Sequence, residues 1–200
     1  MGRLFGTDGV RGIANSDLSV ELVTNIGRAA AMVMEESVNH QPSFLVGKDT
    51  RLSSDMLESA LAAGLCSAGA NVILLGVVPT PAVAYLVKYY QADAGVMLSA
   101  SHNPFEYNGI KIFSNEGFKL LDSQEEEIEQ IILDHIKPYR IKSWGEIGTV
   151  TRAKSAADDY INYLKTTVEC DLSGLRVVLD CANGSASVTA QKLFESLGAQ

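Results

Sequence analysis

The chain has 200 residues, 46% of them hydrophobic and 20% charged, which is enough apolar material for one good core and the start of a second. No segment has the length and purity of a membrane span, and Met1-Gly2-Arg3-Leu4-Phe5 lacks the apolar stretch of a secretory signal, so a soluble cytoplasmic protein is expected, with no membrane partner. A formal net charge of −8 argues against a nucleic-acid partner.

The first motif is Gly6-Thr7-Asp8-Gly9-Val10-Arg11-Gly12. Its glycines let the backbone approach an anion, and Arg11 offers paired donors to phosphate, although alone the motif reads as a surface turn. A helix is predicted from about Val20 to Ser37, with Asn15, Ser16 and Asp17 as candidate caps and Leu22, Ile26, Ala30 and Val33 at helical spacing. Phe44-Leu45-Val46 reads as a buried strand and Gly47-Lys48-Asp49-Thr50-Arg51 as a polar loop. Ser53 or Ser54 then caps a helix ending near Gly69. Val72 to Leu75 is the next strand, Pro79-Thr80-Pro81 opens a helix, and Gly95 to Leu98 is a third strand. This alternation with short connections predicts an α/β fold with a mostly parallel mixed sheet flanked by helices.

After that strand comes Ser99-Ala100-Ser101-His102-Asn103-Pro104, and then Asn108-Gly109-Ile110-Lys111 at the start of a half-exposed strand reaching Phe113. Ser123 with Glu126 predicts a capping box for an acidic helix carrying Ile128, Ile131 and Ile132. The pattern loosens from Lys137 to Arg152, so the domain boundary is placed there. Residues 1–150 form the first domain, and 151–200 form a linker helix (about Ser155 to Val168) plus the start of a second α/β domain. Leu175 to Leu179 reads as a new buried strand, followed by Asp180-Cys181-Ala182-Asn183-Gly184 and a helix around Leu193 and Leu197. One strand and one helix cannot cover both faces of a sheet, so this second domain is expected to be incomplete. Cys66, Cys170 and Cys181 have neither metal-ligand spacing nor an even count, and are expected to be buried, inert thiols.

Ligands collect at the carboxyl ends of parallel strands, which singles out Gly47 to Arg51, Gly76 to Pro81 and Ser99 to Asn103. Arg3, Arg11, Lys48, Arg51 and Lys111 make the loops basic within an acidic chain, a pattern suited to a small anion. A serine hydrolase is disfavoured. The segment has no G-x-S-x-G pattern, no third triad member is evident, and on an extended chain His102 points away from Ser101.

The string Ser101 to Lys111 resembles the active-site serine loop of the α-D-phosphohexomutases. Phe5 to Gly12, Gly47 to Arg51, Val78 to Pro81 and Leu179 to Gly184 agree, the last resembling the opening of the family's second domain, so the likeness covers all 200 residues. The resemblance implies that Ser101 carries a phosphoryl group and that Lys111, Arg11 and His102 join it in catalysis, Lys111 as general acid or base. Arg11, Asn103, Lys111 and Arg51 would bind phosphate or substrate. It further implies a phosphosugar substrate, phosphate moving between O6 and O1 of glucosamine, and a bisphosphorylated hexosamine as intermediate and activator. Mg²⁺ bound through the phosphate on Ser101, and a homodimer, are implied as well. The family's Asp-Gly-Asp-Gly-Asp-Arg metal loop is not found, and Asp158-Asp159 on a predicted helix does not replace it. The chain alone is therefore expected not to complete turnover. Specificity for mannose or glucose phosphates, or phosphosugar binding without catalysis, are the alternatives.

Overall fold

The computed structural model describes residues 2–200. The strands are β1 (Val10–Ile13), β2 (Ser43–Lys48), β3 (Asn71–Val77), β4 (Ala94–Leu98), β5 (Tyr107–Ser114) and β6 (Val150–Arg152). The helices are α1 (Val20–Glu35), α2 (Ser54–Ser67), α3 (Thr80–Tyr89), α4 (Asp122–Leu133), α5 (Ala156–Thr166) and α6 (Ala190–Ser196). One sheet results, in the order β1-β5-β4-β2-β3-β6. β4, β2, β3 and β6 run parallel, β5 is antiparallel to β4, and β1 at the edge is antiparallel to β5. This is the expected mixed α/β sheet. Among the described residues no helix is long and apolar enough to cross a membrane.

Both faces of the sheet are covered, because side chains alternate along each strand. Phe44, Val46, Val96 and Ile112 face a core built with α1, α2 and α4. Leu45, Leu75, Met97 and Phe113 face a second core with α3 and α5. β5 is thereby buried on both sides rather than half-exposed, with Ile110, Ile112 and Phe113 all in the core. α1 and α2 touch backbone to backbone, since a Cβ on Gly64 would fall 2.2 Å from the Thr24 carbonyl oxygen.

The expected boundary at residue 150 runs through β6, which pairs with β3. α5 then packs on α3, with Tyr85 and Tyr163 stacked at 3.8 Å between ring centroids. Some local expectations need correction. Ser19, not Asn15 to Asp17, caps α1 by accepting from Leu22 N at 3.2 Å. Asn15 is used in a left-handed turn, and Asp17 accepts from Ile13 N. Ser123 lies inside α4, whose cap position is Leu121, so the capping box does not form. Leu175 to Leu179 forms no strand and is largely exposed, Val178 almost fully, because no neighbouring strand lies beside it. Only Cys66 is buried; Cys170 is exposed and Cys181 intermediate.

Glu129 turns inward from the acidic helix. It accepts from the backbone N–H groups of Arg3, Leu4 and Phe5 at 2.9, 2.6 and 2.7 Å, tying the amino-terminal strap to α4. Burial raises the pKa of this carboxyl, but the three N–H bonds and Arg3 outweigh it and hold the group below its ordinary value. A depressed carboxylate stabilises the fold above its unfolded pKa, and that contribution fades as pH falls through the folded value. Glu129→Ala strands three backbone donors and is expected to cost about 2–4 kcal/mol at pH 7. Chemical denaturation of both proteins from pH 7 down to pH 3 should show the difference shrinking at the acid end.

Candidate functional site

β2 and β4 lie side by side with Lys48 opposite Leu98, so the loops that follow them emerge together. Asp49 N donates to the Leu98 carbonyl at 3.0 Å and fastens one loop to the other. Across from them lies a cleft of about 850 Å³. Ser101, His102 and Asn103 form one wall, Pro79 to Pro81 at the N-terminus of α3 form its floor, and Ala182 to Ser185 close the far side. Thr50 Oγ1 donates to the Asn183 carbonyl at 2.6 Å and is the bridge between the walls. The N-terminal end of α3 brings a positive helix-dipole end to the same space, which favours an anion there.

Ser101 adopts φ +57°, a left-handed conformation uncommon for residues other than glycine. The turn corrects the extended picture of this segment. Ser101 Oγ and His102 Nδ1 lie 3.3 Å apart, within hydrogen-bond reach, instead of on opposite sides. Asn103 Oδ1 accepts from Arg11 Nη1 at 3.4 Å. Arg11 stands opposite Gly109 in the β1–β5 pair, and Lys111 follows on the same face of β5. A Cβ on Gly109 would sit 2.8 Å from the Val10 carbonyl oxygen and 3.1 Å from Arg11 Cγ, so glycine there lets the arginine stem cross the strand. Asp8 lies between the two cations, 3.4 Å from Arg11 Nη2 and 3.6 Å from Lys111 Nζ.

The five basic residues expected to face an anion divide into two groups. Arg3 is spent on a bidentate pair with Asp134, away from the cleft. Lys48 is buried and bonded to Asp55 and Glu58 at 2.5 and 2.6 Å. Burial lowers its pKa, but the two carboxylates more than reverse this and keep the ammonium charged. Arg51 directs its guanidinium at Asp49 and at loop carbonyls. Arg11, exposed, and Lys111, half-buried, remain; Arg11 has long contacts to Asp8 and Asn103, and Lys111 has one to Asp8 and lies over the Phe113 ring at 5.8 Å. The sequence reading overlooked Asp8, Asp49 and Asn108. Asn108 is fully buried and donates to Ser53 Oγ and Ser54 Oγ, fixing the serine loop's far end to the start of α2. Its only sequence signal is an amide ahead of a glycine between apolar strands.

The residues present do not form a Mg²⁺ site. Among the described residues no three His, Cys, Asp or Glu side chains gather to hold a metal ion. The two carboxylates nearest the serine loop are already paired, Asp49 with Arg51 and Asp8 with Arg11 and Lys111.

Residues 2–138 match the family model described as phosphoglucomutase/phosphomannomutase, alpha/beta/alpha domain I. The chain is 54% identical over 199 residues to a phosphoglucosamine mutase of Acetivibrio thermocellus, and 52% identical over 200 residues to one of Clostridium acetobutylicum. Each alignment covers 100% of this chain and 44% of the relative, so the chain spans less than half of their length. A phosphoglucomutase/phosphomannomutase family protein from Burkholderia thailandensis superposes with a TM-score of 0.79 at 29% identity, covering 98% of this chain and 42% of its own. A putative phosphomannomutase from Thermus thermophilus gives 0.72 at 28% identity, covering 86% and 38%.

Substitution separates the structural cations from the free ones. Lys48→Met leaves Glu58 buried without its partner and is expected to cost about 3–5 kcal/mol in a denaturation measurement. Arg11→Gln and Lys111→Gln are expected to change stability by less than about 1 kcal/mol, while each weakens inorganic phosphate binding measured by calorimetry.

Proposed function

The chain belongs to the phosphoglucomutase/phosphomannomutase family, and on that footing we propose that Ser101 is the phosphoryl carrier of a phosphoglucosamine mutase. The proposed reaction interconverts glucosamine 6-phosphate and glucosamine 1-phosphate through a bisphosphorylated sugar. The observation that carries it is the placing of Ser101, a hydroxyl turned by a left-handed backbone onto a cleft that α3 points into. The relatives at 52–54% identity favour the amino sugar, whereas the mannose- and glucose-type names belong to structures at 28–29%.

In the proposed step, a sugar hydroxyl attacks the phosphorus of phospho-Ser101. One P–O bond forms, the P–Oγ bond breaks, and Lys111 takes the sugar hydroxyl proton as general base and gives it to the departing Oγ, which leaves as the serine hydroxyl. When the bisphosphate turns over in the cleft and presents its other end, the Ser101 hydroxyl attacks that phosphorus, the bond to the sugar oxygen breaks, and Lys111 relays the serine proton to the leaving sugar oxygen. Phosphoserine adds about −1.5 to −2 charges at neutral pH, which Arg11 offsets throughout and Lys111 offsets once it has taken up the proton. His102, at 3.3 Å from Oγ, orients the hydroxyl while it is unphosphorylated. Residues 1–150 would supply this half of the chemistry as one domain, with 151–200 opening the next.

Turnover is proposed for the whole protein, and the 200-residue chain alone is expected not to complete it. In the whole protein, Ser101→Ala should lower the conversion of glucosamine 6-phosphate by about 10³-fold or more, with an unchanged melting temperature. Activity within tenfold of the parent would refute the assignment.

A further inference from the structure

The Arg51 guanidinium has five N–H donors, and the structure gives each of them an acceptor. Nε donates to Asp49 Oδ2 at 2.9 Å. Nη1 donates to the carbonyls of Pro104 and Tyr107 at 2.7 and 2.8 Å. Nη2 donates to those of Ser101 and Asn103 at 3.0 and 2.9 Å. One side chain thus holds four carbonyls of the serine loop, across 50 to 56 positions of sequence. Asp49 aims the fork, and is itself held by Ser54 Oγ and by Arg51 N, both at 3.0 Å. The pair is nearly buried, with side chains 11% and 9% exposed.

We propose that Arg51 is a positioning residue for the reaction, whose guanidinium fixes the main chain of Ser101 to Tyr107 so that the Ser101 hydroxyl faces the cleft. This rests on the reading of Ser101 as phosphoryl carrier, and it replaces the expected role of Arg51 as a phosphate ligand. A phosphate taking an Arg51 donor would have to displace either the Asp49 carboxylate or a carbonyl of the loop that carries the phosphate. The constraint is needed locally, because a serine at φ +57° has a more relaxed alternative on the other side of the Ramachandran map. Lysine is no substitute. Its ammonium is a point charge with three donors and cannot span four carbonyls and a carboxylate in one plane.

The test compares Arg51→Lys and Arg51→Ala with the parent in the whole protein, by steady-state kinetics and by amide hydrogen exchange across residues 99–109. The expected result is a fall in kcat of about 10²-fold in Arg51→Lys, with KM for the phosphosugar moved only a few-fold, and faster exchange confined to the loop. A raised KM with kcat intact would show a phosphate ligand and overturn the proposal. So would parent-like exchange in the loop, or a lowered melting temperature with full kcat per folded molecule. Ser101→Ala separates the two readings. If it leaves conversion intact, the carrier assignment falls, and the exchange measurement alone decides whether Arg51 holds the loop.

Discussion

A loop that must present a hydroxyl from a left-handed residue cannot rely on its own sequence to stay there, and the constraint comes from the Asp49–Arg51 pair. Its position follows from the topology. Parallel β2 and β4 are neighbours, so their carboxyl ends deliver Asp49 to Arg51 and Ser99 to Asn103 to the same edge of the sheet. The first turn of α2 then orients the carboxylate through Ser54, and the same serine receives Asn108 from the far end of the loop. Strand order, helix start and loop conformation are therefore one mechanical unit. A fully satisfied polar network of this kind specifies a single arrangement, where a partly satisfied one would leave several.

The same economy governs charge. Carboxylates within the fold consume Arg3, Lys48 and Arg51, each at a distance of 2.9 Å or less. Arg11 and Lys111 share one exposed Asp8 at longer range, a weak partner instead of a buried one. The basic residues of an acidic protein are divided in this way. Its structural cations are neutralised where they stand, and two are left under-paired on a common sheet face.

The fold was legible because its strands are short apolar runs ended by polar loops, and because Leu22, Ile26 and Val33 repeat at the helical period. The serine loop was legible as a long polar string between apolar strands. The role of Arg51 was not. Its acceptors are main-chain carbonyls, which carry no residue identity, and they lie some fifty positions away. Asp49-x-Arg51 was the one local hint, and by itself it reads as an ordinary turn. Ser123 failed as a cap for a related reason. The chain enters α4 at Leu121 as Glu125 and Glu129 turn inward, and those buried contacts override the local capping signal.

Leu175 to Leu179 shows the limit of local pattern most directly. Its composition is that of a strand, yet a strand is a property of a sheet, and the only strand-like bonds here run between Leu175, Val177 and Gln200. The segment after it nevertheless supplies the far wall of the cleft. The two walls are unequally supported. On the serine side, five guanidinium bonds and a buried amide lock the backbone. On the other side, the Thr50–Asn183 hydrogen bond is the bridge, and Ala182 and Asn183 both stand in left-handed conformations. The Ser101 side of the cleft is therefore held by a dense set of bonds to its main chain, whereas the Ala182 to Ser185 side meets the loop after β2 through the Thr50 hydroxyl.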